Sequence, residues 1–402
     1  MIYDFNQHVD LTGFGSVKQE ATSRIFGESD LLPLWVADMD FQGPQEVIEA
    51  LRRRVDSGIY GYSMRTEAMD EAVIGWMDRR HGWRIQKEWL CHSPGVVTAL
   101  AACVQSFTAE GDAIVIQPPV YPPFSKVVTE NGRKLVTNPL RLTDGRYEMD
   151  LEDLEAKIEA NGAKMLILCS PHNPVGRVWS EEELAAVIAI CRRHGVMIIS
   201  DEIHADLALP SSRHTVLAKL MNEDERFVIC MAPSKTFNMA GLQSSFIIIP
   251  NEEIRKAFTA YMERLHIGGA NAMALTAAEA AYRHGDEWLD QALRYIAGNM
   301  DYLMDYVAAH MPELEVVRPE GTYLVWMDFR AYGLSPVQLS DWMTKTAKVA
   351  LNAGYHFGAE GEGFMRLNAA APRAVLAEAL QRIREALPGM PAPAEAEVKA
   401  EA

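Results

Sequence analysis

Short apolar runs alternate with longer amphipathic stretches through the middle of the chain. The runs are rich in Val, Ile, Leu and Met, which is typical of strands buried on both faces of a parallel sheet. They lie at 113–116, 164–169, 196–200, 227–231 and 246–249. This alternation predicts an α/β fold with a mostly parallel sheet flanked by helices.

One of the amphipathic stretches carries the signals for both ends of a helix. Ser180 and Glu183 have the spacing of a capping box, in which each side chain bonds the backbone N–H of the other. Gly195 follows two arginines and a histidine and predicts the end of the helix. A second helix is predicted from Gly95 to about Phe107.

The pattern changes after residue 285, where a long helix is predicted over 288–309, with strands following it. These strands, at 314–317 and 323–327, predict a smaller α+β domain. The last residues are Pro, Ala and Glu without periodicity, which is typical of disorder. We therefore expect four parts, which are an N-terminal segment packing with the small domain (1–45), a large domain (46–285), the small domain (286–387) and a disordered tail (388–402).

Composition narrows the classes of function. A net charge of −17 without a basic stripe argues against a nucleic-acid partner. No apolar stretch is long enough to cross a membrane, and the N-terminus has neither the basic start nor the apolar core of a signal peptide. The five cysteines are scattered without paired or zinc-type spacing, so we expect reduced thiols, a cytoplasmic location and no metal site.

Three polar residues follow three of the predicted strands. Asn173, Asp201 and Lys235 supply an amide, a carboxylate and an amine, and the carboxyl ends of parallel strands meet at one edge of a sheet. A pyridoxal phosphate ring needs these groups, since an amine binds its aldehyde, a carboxylate faces its ring nitrogen and an amide faces its phenolic oxygen. The order of the three predicts this cofactor. Taken singly, they could be a surface lysine, a helix cap and a turn residue.

A candidate phosphate site precedes these residues. Gly95 opens a predicted helix, and its missing side chain lets an anion approach the free N–H groups of Val96 and Val97. Taken alone, the segment is better explained as an ordinary loop before a helix. Its position ahead of the other three groups favours the phosphate.

Seven motifs in this order resemble those of the fold-type-I pyridoxal phosphate enzymes, and within them the MalY/PatB branch of cystathionine β-lyase-like proteins. The motifs span nearly the whole chain and lie at 33–41, 60–62, 119–124, 170–179, 201–206, 233–242 and 363–368. The resemblance implies the fold of class I/II aminotransferases, with a large sheet domain and a smaller C-terminal domain.

The resemblance also implies roles for individual residues. Lys235 would bind the cofactor covalently and, once released, remove the Cα proton of the substrate. Asp201 would keep the ring nitrogen protonated, and Tyr121 would stack on the ring. Asn173 would contact both the ring oxygen and the substrate. Arg366 would bind the substrate α-carboxylate through its two-pronged guanidinium.

Further residues complete the predicted site. The backbone N–H groups of Gly95, Val96 and Val97, with the hydroxyl of Ser234, would bind the phosphate. Ala37 is a predicted substrate contact.

Tyr62 resembles the tyrosine that reaches the phosphate of the neighbouring subunit, which implies a homodimer with shared sites, and Tyr60 is the alternative for this role.

Two positions depart from the wider aminotransferase pattern. His204 stands where many relatives have tyrosine, so it is predicted either to contact the cofactor or to bond nearby backbone. The stretch 241–243 has no phosphate-binding arginine.

These roles predict α,β-elimination on cysteine-type amino acids. L-cystathionine would give homocysteine, pyruvate and ammonia, and other cysteine S-conjugates would give other thiols. An aminotransferase using the same site is the first alternative. A regulatory protein-binding role on the same fold is the second.

Overall fold

The computed structural model describes residues 1–267, 269 and 271–390. Within them the strands β1 to β15 are, in chain order, Leu32–Pro33, Leu90–Ser93, Ala113–Ile116, Lys134–Thr137, Arg141–Thr143, Arg146–Glu148, Met165–Cys169, Met197–Asp201, Phe227–Met231, Ser245–Ile248, Glu315–Val317, Leu324–Asp328, Val349–Ala350, Asn352–Ala353 and Phe364–Asn368.

The helices of the same residues lie before, between and after these strands in the chain. In chain order α1 to α13 are Thr22–Phe26, Gln45–Asp56, Glu67–His81, Val96–Phe107, Pro123–Thr129, Leu151–Asn161, Glu181–His194, Pro233–Thr236, Glu252–Arg264, Ala272–His284, Asp286–His310, Pro336–Asp341 and Arg373–Ala386. A search of the described helices finds none with the length and apolar character needed to cross a bilayer.

A seven-stranded sheet forms the centre of the molecule, in the order β2-β10-β9-β8-β7-β3-β4. The strands β9, β8, β7 and β3 run parallel, as predicted from their continuous apolar sequences, and the edge strand β4, which was not predicted and is half polar, extends the parallel series. The last strand of the predicted series is present as β10, but it runs antiparallel to both neighbours. The connection from β9 holds only short helical turns and no crossover helix, so the chain returns in the opposite direction.

The inner strands of this sheet, β3, β7, β8, β9 and β10, are buried on both faces. Alternate residues such as Ile167 and Ile199 pack with α4, α5 and α9, whereas Leu166 and Ile198 pack on the opposite face with α6 and α7. Burial on both sides explains why the strand sequences are continuously apolar instead of alternating.

The predicted helix boundaries are confirmed where capping residues mark them. Ser180 Oγ accepts a hydrogen bond from the backbone N–H of Glu183 (3.2 Å), and a Glu183 carboxylate oxygen accepts from the N–H of Ser180 (2.8 Å). Gly195 ends this helix at φ 66°, a left-handed conformation that glycine adopts without strain. The helix predicted over 288–309 is α11.

The C-terminal part forms a separate four-stranded sheet in the order β11-β12-β15-β14. The N-terminal segment packs on this part, because β1 pairs in parallel with β13. Phe5 also contacts Trp288 on α11, with ring centroids 5.9 Å apart. The division of the chain at 45 and 285 stays a prediction. The tail predicted to be disordered over 388–402 begins with ordered residues, because Pro388 and Gly389 belong to the 3₁₀ turn Leu387–Gly389. Residues 391–402 lie outside the described residues.

Candidate active site

One cavity of about 550 Å³ lies at the carboxyl ends of the parallel strands. Asn173 follows β7, Asp201 ends β8 and Lys235 follows β9, so the topology brings the three predicted groups to the same edge. Eleven of the twelve predicted site residues line this cavity, namely Ala37, Gly95, Val96, Val97, Tyr121, Asn173, Asp201, His204, Ser234, Lys235 and Arg366. Tyr62 does not.

Lys235 lies in α8, a single turn that begins at Pro233, where a missing backbone N–H costs no helical hydrogen bond. Its Nζ donates to the carbonyl oxygen of Ala37 (2.7 Å) and lies 3.8 Å from an Asp38 carboxylate oxygen. Burial lowers the pKa of Lys235, and the charge of Asp38 opposes this shift. The amine is therefore easier to deprotonate than an exposed lysine, as a general base requires.

Asp201 is a buried carboxylate without a basic partner. Its Oδ1 accepts a hydrogen bond from the backbone N–H of Ile203 (3.1 Å), and among the described residues no Lys, Arg or His nitrogen lies within ion-pair distance. Burial raises the pKa of Asp201 to about 7. A cation placed against the Asp201 carboxylate would offset the free-energy cost of ionising this buried group.

Arg366 is a buried guanidinium whose hydrogen-bond partners are all neutral in the described residues. It donates to Asn173 Oδ1 (2.9 Å), to Asn352 Oδ1 (2.6 Å) and to the carbonyl oxygen of Trp35 (3.1 Å). Its charged carbon lies 4.9 Å from the ring centre of Phe357, and burial lowers its pKa to about 10. A buried cation with neutral partners is suited to a ligand carboxylate.

Asn352 is a site residue that the sequence analysis missed. It lies on β14 directly opposite Arg366 on β15, and this register holds the guanidinium toward the cavity. One signal was available, because Asn352 is the single polar residue in the otherwise apolar run 349–353. A polar residue inside a buried strand requires a partner.

The start of α4 provides an anion site without a basic side chain. Gly95 is its N-cap and offers no side-chain cap, so the first backbone N–H groups, including those of Val96 and Val97, have no helical partner. These groups border the cavity and favour a negative ligand. Ser234 Oγ makes only a long hydrogen bond of 3.4 Å to the carbonyl of Ser244, which leaves it free to turn toward an anion.

Tyr121 and His204 place two rings in the cavity. The pKa of Tyr121 is raised by burial, so its phenol is protonated. Burial also lowers the pKa of His204 to about 3, which keeps the imidazole neutral. His204 Nδ1 is buried without a hydrogen-bond partner among the described residues, which suits contact with a cofactor group. The rings of His204 and Tyr323 meet in a T-shaped contact with centroids 6.1 Å apart, and Tyr323 was not predicted from the sequence.

Tyr62 lies on the surface of this chain, fully exposed and outside the cavity. The hydroxyl of nearby Tyr60 is already bonded to the carbonyl oxygen of Val55 (3.0 Å). The structure thus brings neither tyrosine to the site of its own chain.

Comparisons with known proteins agree with this geometry. Residues 29–383 match the family model described as aminotransferase class I and II. The chain is 47% identical to cystathionine beta-lyase PatB of Bacillus subtilis over 96% of its own length and 100% of that protein. It is 33% identical to protein MalY of Escherichia coli, over 93% and 96% of the two chains. The crystal structure of cystalysin from Treponema denticola, which contains a pyridoxal 5'-phosphate cofactor, superposes with a TM-score of 0.92 at 38% identity and covers 97% of this chain and 100% of that one.

Proposed function

The chain belongs to the aminotransferase class I and II family, and from this premise we propose that it is a pyridoxal phosphate-dependent carbon–sulfur β-lyase. The substrates would be L-cystathionine and related cysteine S-conjugates, and the products pyruvate, ammonia and a thiol. One observation carries the proposal. A buried lysine, an unpaired buried carboxylate and a buried guanidinium with neutral partners border a single cavity. The relative named cystathionine beta-lyase PatB supports the choice of elimination over other reactions of the family.

The residues of the cavity fit pyridoxal phosphate. Asp201 has no cationic partner among the residues that the structure describes, and a protonated ring nitrogen would supply one. The uncapped start of α4 would bind the phosphate, and Tyr121 would cover a face of the ring. The Oδ1 of Asn173 is occupied by Arg366, so its N–H groups remain to donate to the ring oxygen. Lys235 is the amine that would bind the aldehyde.

When bound, the cofactor supplies an electron sink for the bond broken at Cα. Side chains of this protein would bind the substrate and remove its Cα proton. Arg366 would bind the substrate α-carboxylate through two N–H groups and fix the direction of the Cα–H bond. Lys235, whose pKa is lowered by burial, would take the Cα proton at Nζ. The sulfur then leaves from Cβ as a thiolate.

Neutral groups around Arg366 orient it without competing for the substrate. Asn352 and the carbonyl of Trp35 hold one side of the guanidinium, and Phe357 covers its face. Because these partners carry no negative charge, an incoming carboxylate does not have to displace an ion pair. The same groups keep water away from the Arg366 guanidinium. Its attraction to the substrate carboxylate is therefore less weakened by solvent.

We further propose a homodimer in which Tyr62 of each protomer reaches the phosphate of the other. Tyr62 has an exposed side chain and lies near other exposed apolar residues, among them Ile59 and Met64. The Tyr60 hydroxyl is bonded within its own chain, which favours Tyr62 for this role. Residues of this kind on one surface are typical of an oligomer interface.

An assay with L-cystathionine tests the reaction type. Purified protein loaded with pyridoxal phosphate should release pyruvate and a free thiol steadily in the absence of any 2-oxo acid. An aminotransferase would instead require an oxo acid to turn over repeatedly. Product formation that depends wholly on added oxo acid would replace the lyase by the aminotransferase.

A further inference from the structure

A short segment of the N-terminal part, residues 37–40, lies against the side chain of Lys235. The carbonyl oxygen of Ala37 accepts the hydrogen bond from Nζ at 2.7 Å, and a carboxylate oxygen of Asp38 lies 3.8 Å from the same nitrogen. Asp38 lies in the motif at 33–41 and had no predicted role.

The backbone of this segment is held from several directions. The carbonyl oxygen of Asp38 accepts from Lys18 Nζ (2.9 Å) and from Asn368 Nδ2 (2.7 Å). The N–H of Met39 donates to Asn238 Oδ1 (2.9 Å). These bonds fix where the Asp38 side chain begins, so its approach to Lys235 is a property of the fold and not of a free loop.

The carboxylate of Asp38 is not used in this support. Among the described residues it accepts no hydrogen bond, and its one ion pair is with Lys235. The side chain is 42% exposed, against 20% for Lys235. Asp38 therefore touches both the buried amine and the solvent, which a purely structural aspartate would not need to do.

Three charged groups from different elements influence Lys235. Asp38 comes from the N-terminal segment, Arg366 from β15 and Asp201 from β8. Of the two carboxylates, only Asp38 lies within ion-pair distance, and Asp201 is buried. A proton on Lys235 thus has one nearby acceptor that is connected to water.

We propose that Asp38 is the proton-accepting partner of Lys235, which takes the proton that Lys235 removes from the substrate Cα and passes it to solvent. This inference rests on the proposed function. An N–H bond of the lysine ammonium breaks and an O–H bond forms on Asp38, and that proton then leaves with water. Since 3.8 Å exceeds a direct hydrogen bond, a small side-chain rotation or one bridging water completes the path.

The first test uses the cofactor-free protein and does not depend on catalysis. Labelling of Lys235 by an amine-reactive reagent is followed against pH by mass spectrometry of its peptide, and the midpoint reports the pKa of the amine. Asp38→Asn removes the negative neighbour, so the midpoint should move to lower pH by about one unit. Asp38→Glu should restore most of the difference. Asp40→Asn, whose carboxylate pairs with Lys18, is the matched control and should leave the midpoint unchanged.

The second test follows the proton itself. With cofactor-loaded protein in D₂O, the α-hydrogen of L-alanine, which has no leaving group at Cβ, should exchange for deuterium. Asp38→Asn should slow this exchange about tenfold or more, because the proton stays on Lys235 and returns to Cα. Asp38→Glu should retain faster exchange than Asp38→Asn.

An unchanged labelling midpoint in folded Asp38→Asn protein would overturn the inference, as would exchange at the wild-type rate. If the asparagine variant fails to fold, Asp38→Ala, which also removes the negative charge, takes its place in both tests with the same expected results. A midpoint shift in a protein without lyase activity would leave the Asp38–Lys235 pair intact and reject the proposed function instead.

Discussion

Nη1 of Arg366 donates a 2.9 Å hydrogen bond to Oδ1 of Asn173, which joins β15 of the small sheet to the loop that follows β7 of the large sheet. The bond also sets the orientation of the amide, because an occupied Oδ1 leaves the N–H groups of Asn173 to donate elsewhere. The proposed substrate-binding and ring-binding groups are thereby oriented by one contact.

The planar guanidinium of Arg366 donates several hydrogen bonds at once, so we expect that a lysine cannot replace it. Arg366→Lys keeps the charge but loses the paired N–H groups and the bonds to Asn173 and Asn352. We expect kcat/KM for L-cystathionine to fall about 100-fold, with much of the loss in KM. Arg330→Lys, at a half-exposed arginine paired with Asp328, is the control and should change kcat/KM little. Equal losses in the two variants would contradict the assignment.

The buried carboxylate of Asp201 predicts a pH-dependent stability of the cofactor-free protein. Its pKa is raised from 3.8 to about 7, so between these values the folded protein binds a proton that the unfolded chain has released. Stability from this group therefore falls as pH rises from about 4 to 7. Asp201→Asn, which cannot ionise, should have the higher Tm at pH 8.

The difference in Tm between Asp201→Asn and wild type should shrink toward pH 5, where the wild-type carboxyl is protonated. Added pyridoxal phosphate should stabilise the wild type more than the variant, because only the wild type offers a charge to the ring nitrogen. A Tm difference that stays constant from pH 5 to pH 8 would show that Asp201 does not ionise in this range.

Shared sites predict complementation between two inactive variants. Tyr62→Ala damages the partner's site, whereas Lys235→Ala damages its own, so a mixed dimer has one site with both defects and one intact site. Random mixing after subunit exchange should restore about a quarter of the wild-type activity. As the control, each variant alone is taken through the same subunit exchange and should stay inactive. Recovery of no activity, with mixed dimers detected by native mass spectrometry, would contradict sharing through Tyr62.

A buried aspartate beside the lysine-bearing turn predicts a stability effect. Asp206 accepts hydrogen bonds from Trp76 Nε1 (2.9 Å) and Thr236 Oγ1 (2.7 Å), and it pairs with His81 (2.7 Å). Asp206→Asn places amide N–H groups against these donors and should lower the free energy of unfolding by about 2–4 kcal/mol. Tm should fall by several degrees, whereas Asp290→Asn on the surface should cause little change. Equal Tm values would show that the network contributes nothing.

Much of the fold was predictable because burial on both faces of a sheet leaves a direct trace in the sequence. The runs at 113–116 and 227–231 are strands as predicted, and Ser180 caps its helix. The antiparallel direction of β10 was not predictable, since strand direction depends on how the connection packs and not on the strand residues. The short β5–β6 hairpin is largely polar and left no apolar signal.

The candidate site was predictable where a residue follows a strand, as Asp201 and Lys235 do. Asn352 and Tyr323 were missed because their importance comes from the small sheet facing the large one, a relationship that no local pattern contains. Asp38 was missed for the same reason, since it is 197 positions from Lys235. The role of Tyr62 depends on a second protomer and stays a prediction.

Borohydride reduction of the cofactor-loaded protein, followed by peptide mass spectrometry, identifies the side chain that binds the cofactor covalently. We expect a pyridoxyl phosphate adduct on the peptide that contains Lys235 and none in Lys235→Ala protein. An adduct on another lysine, or a wild-type protein that carries no adduct, would contradict covalent attachment at Lys235.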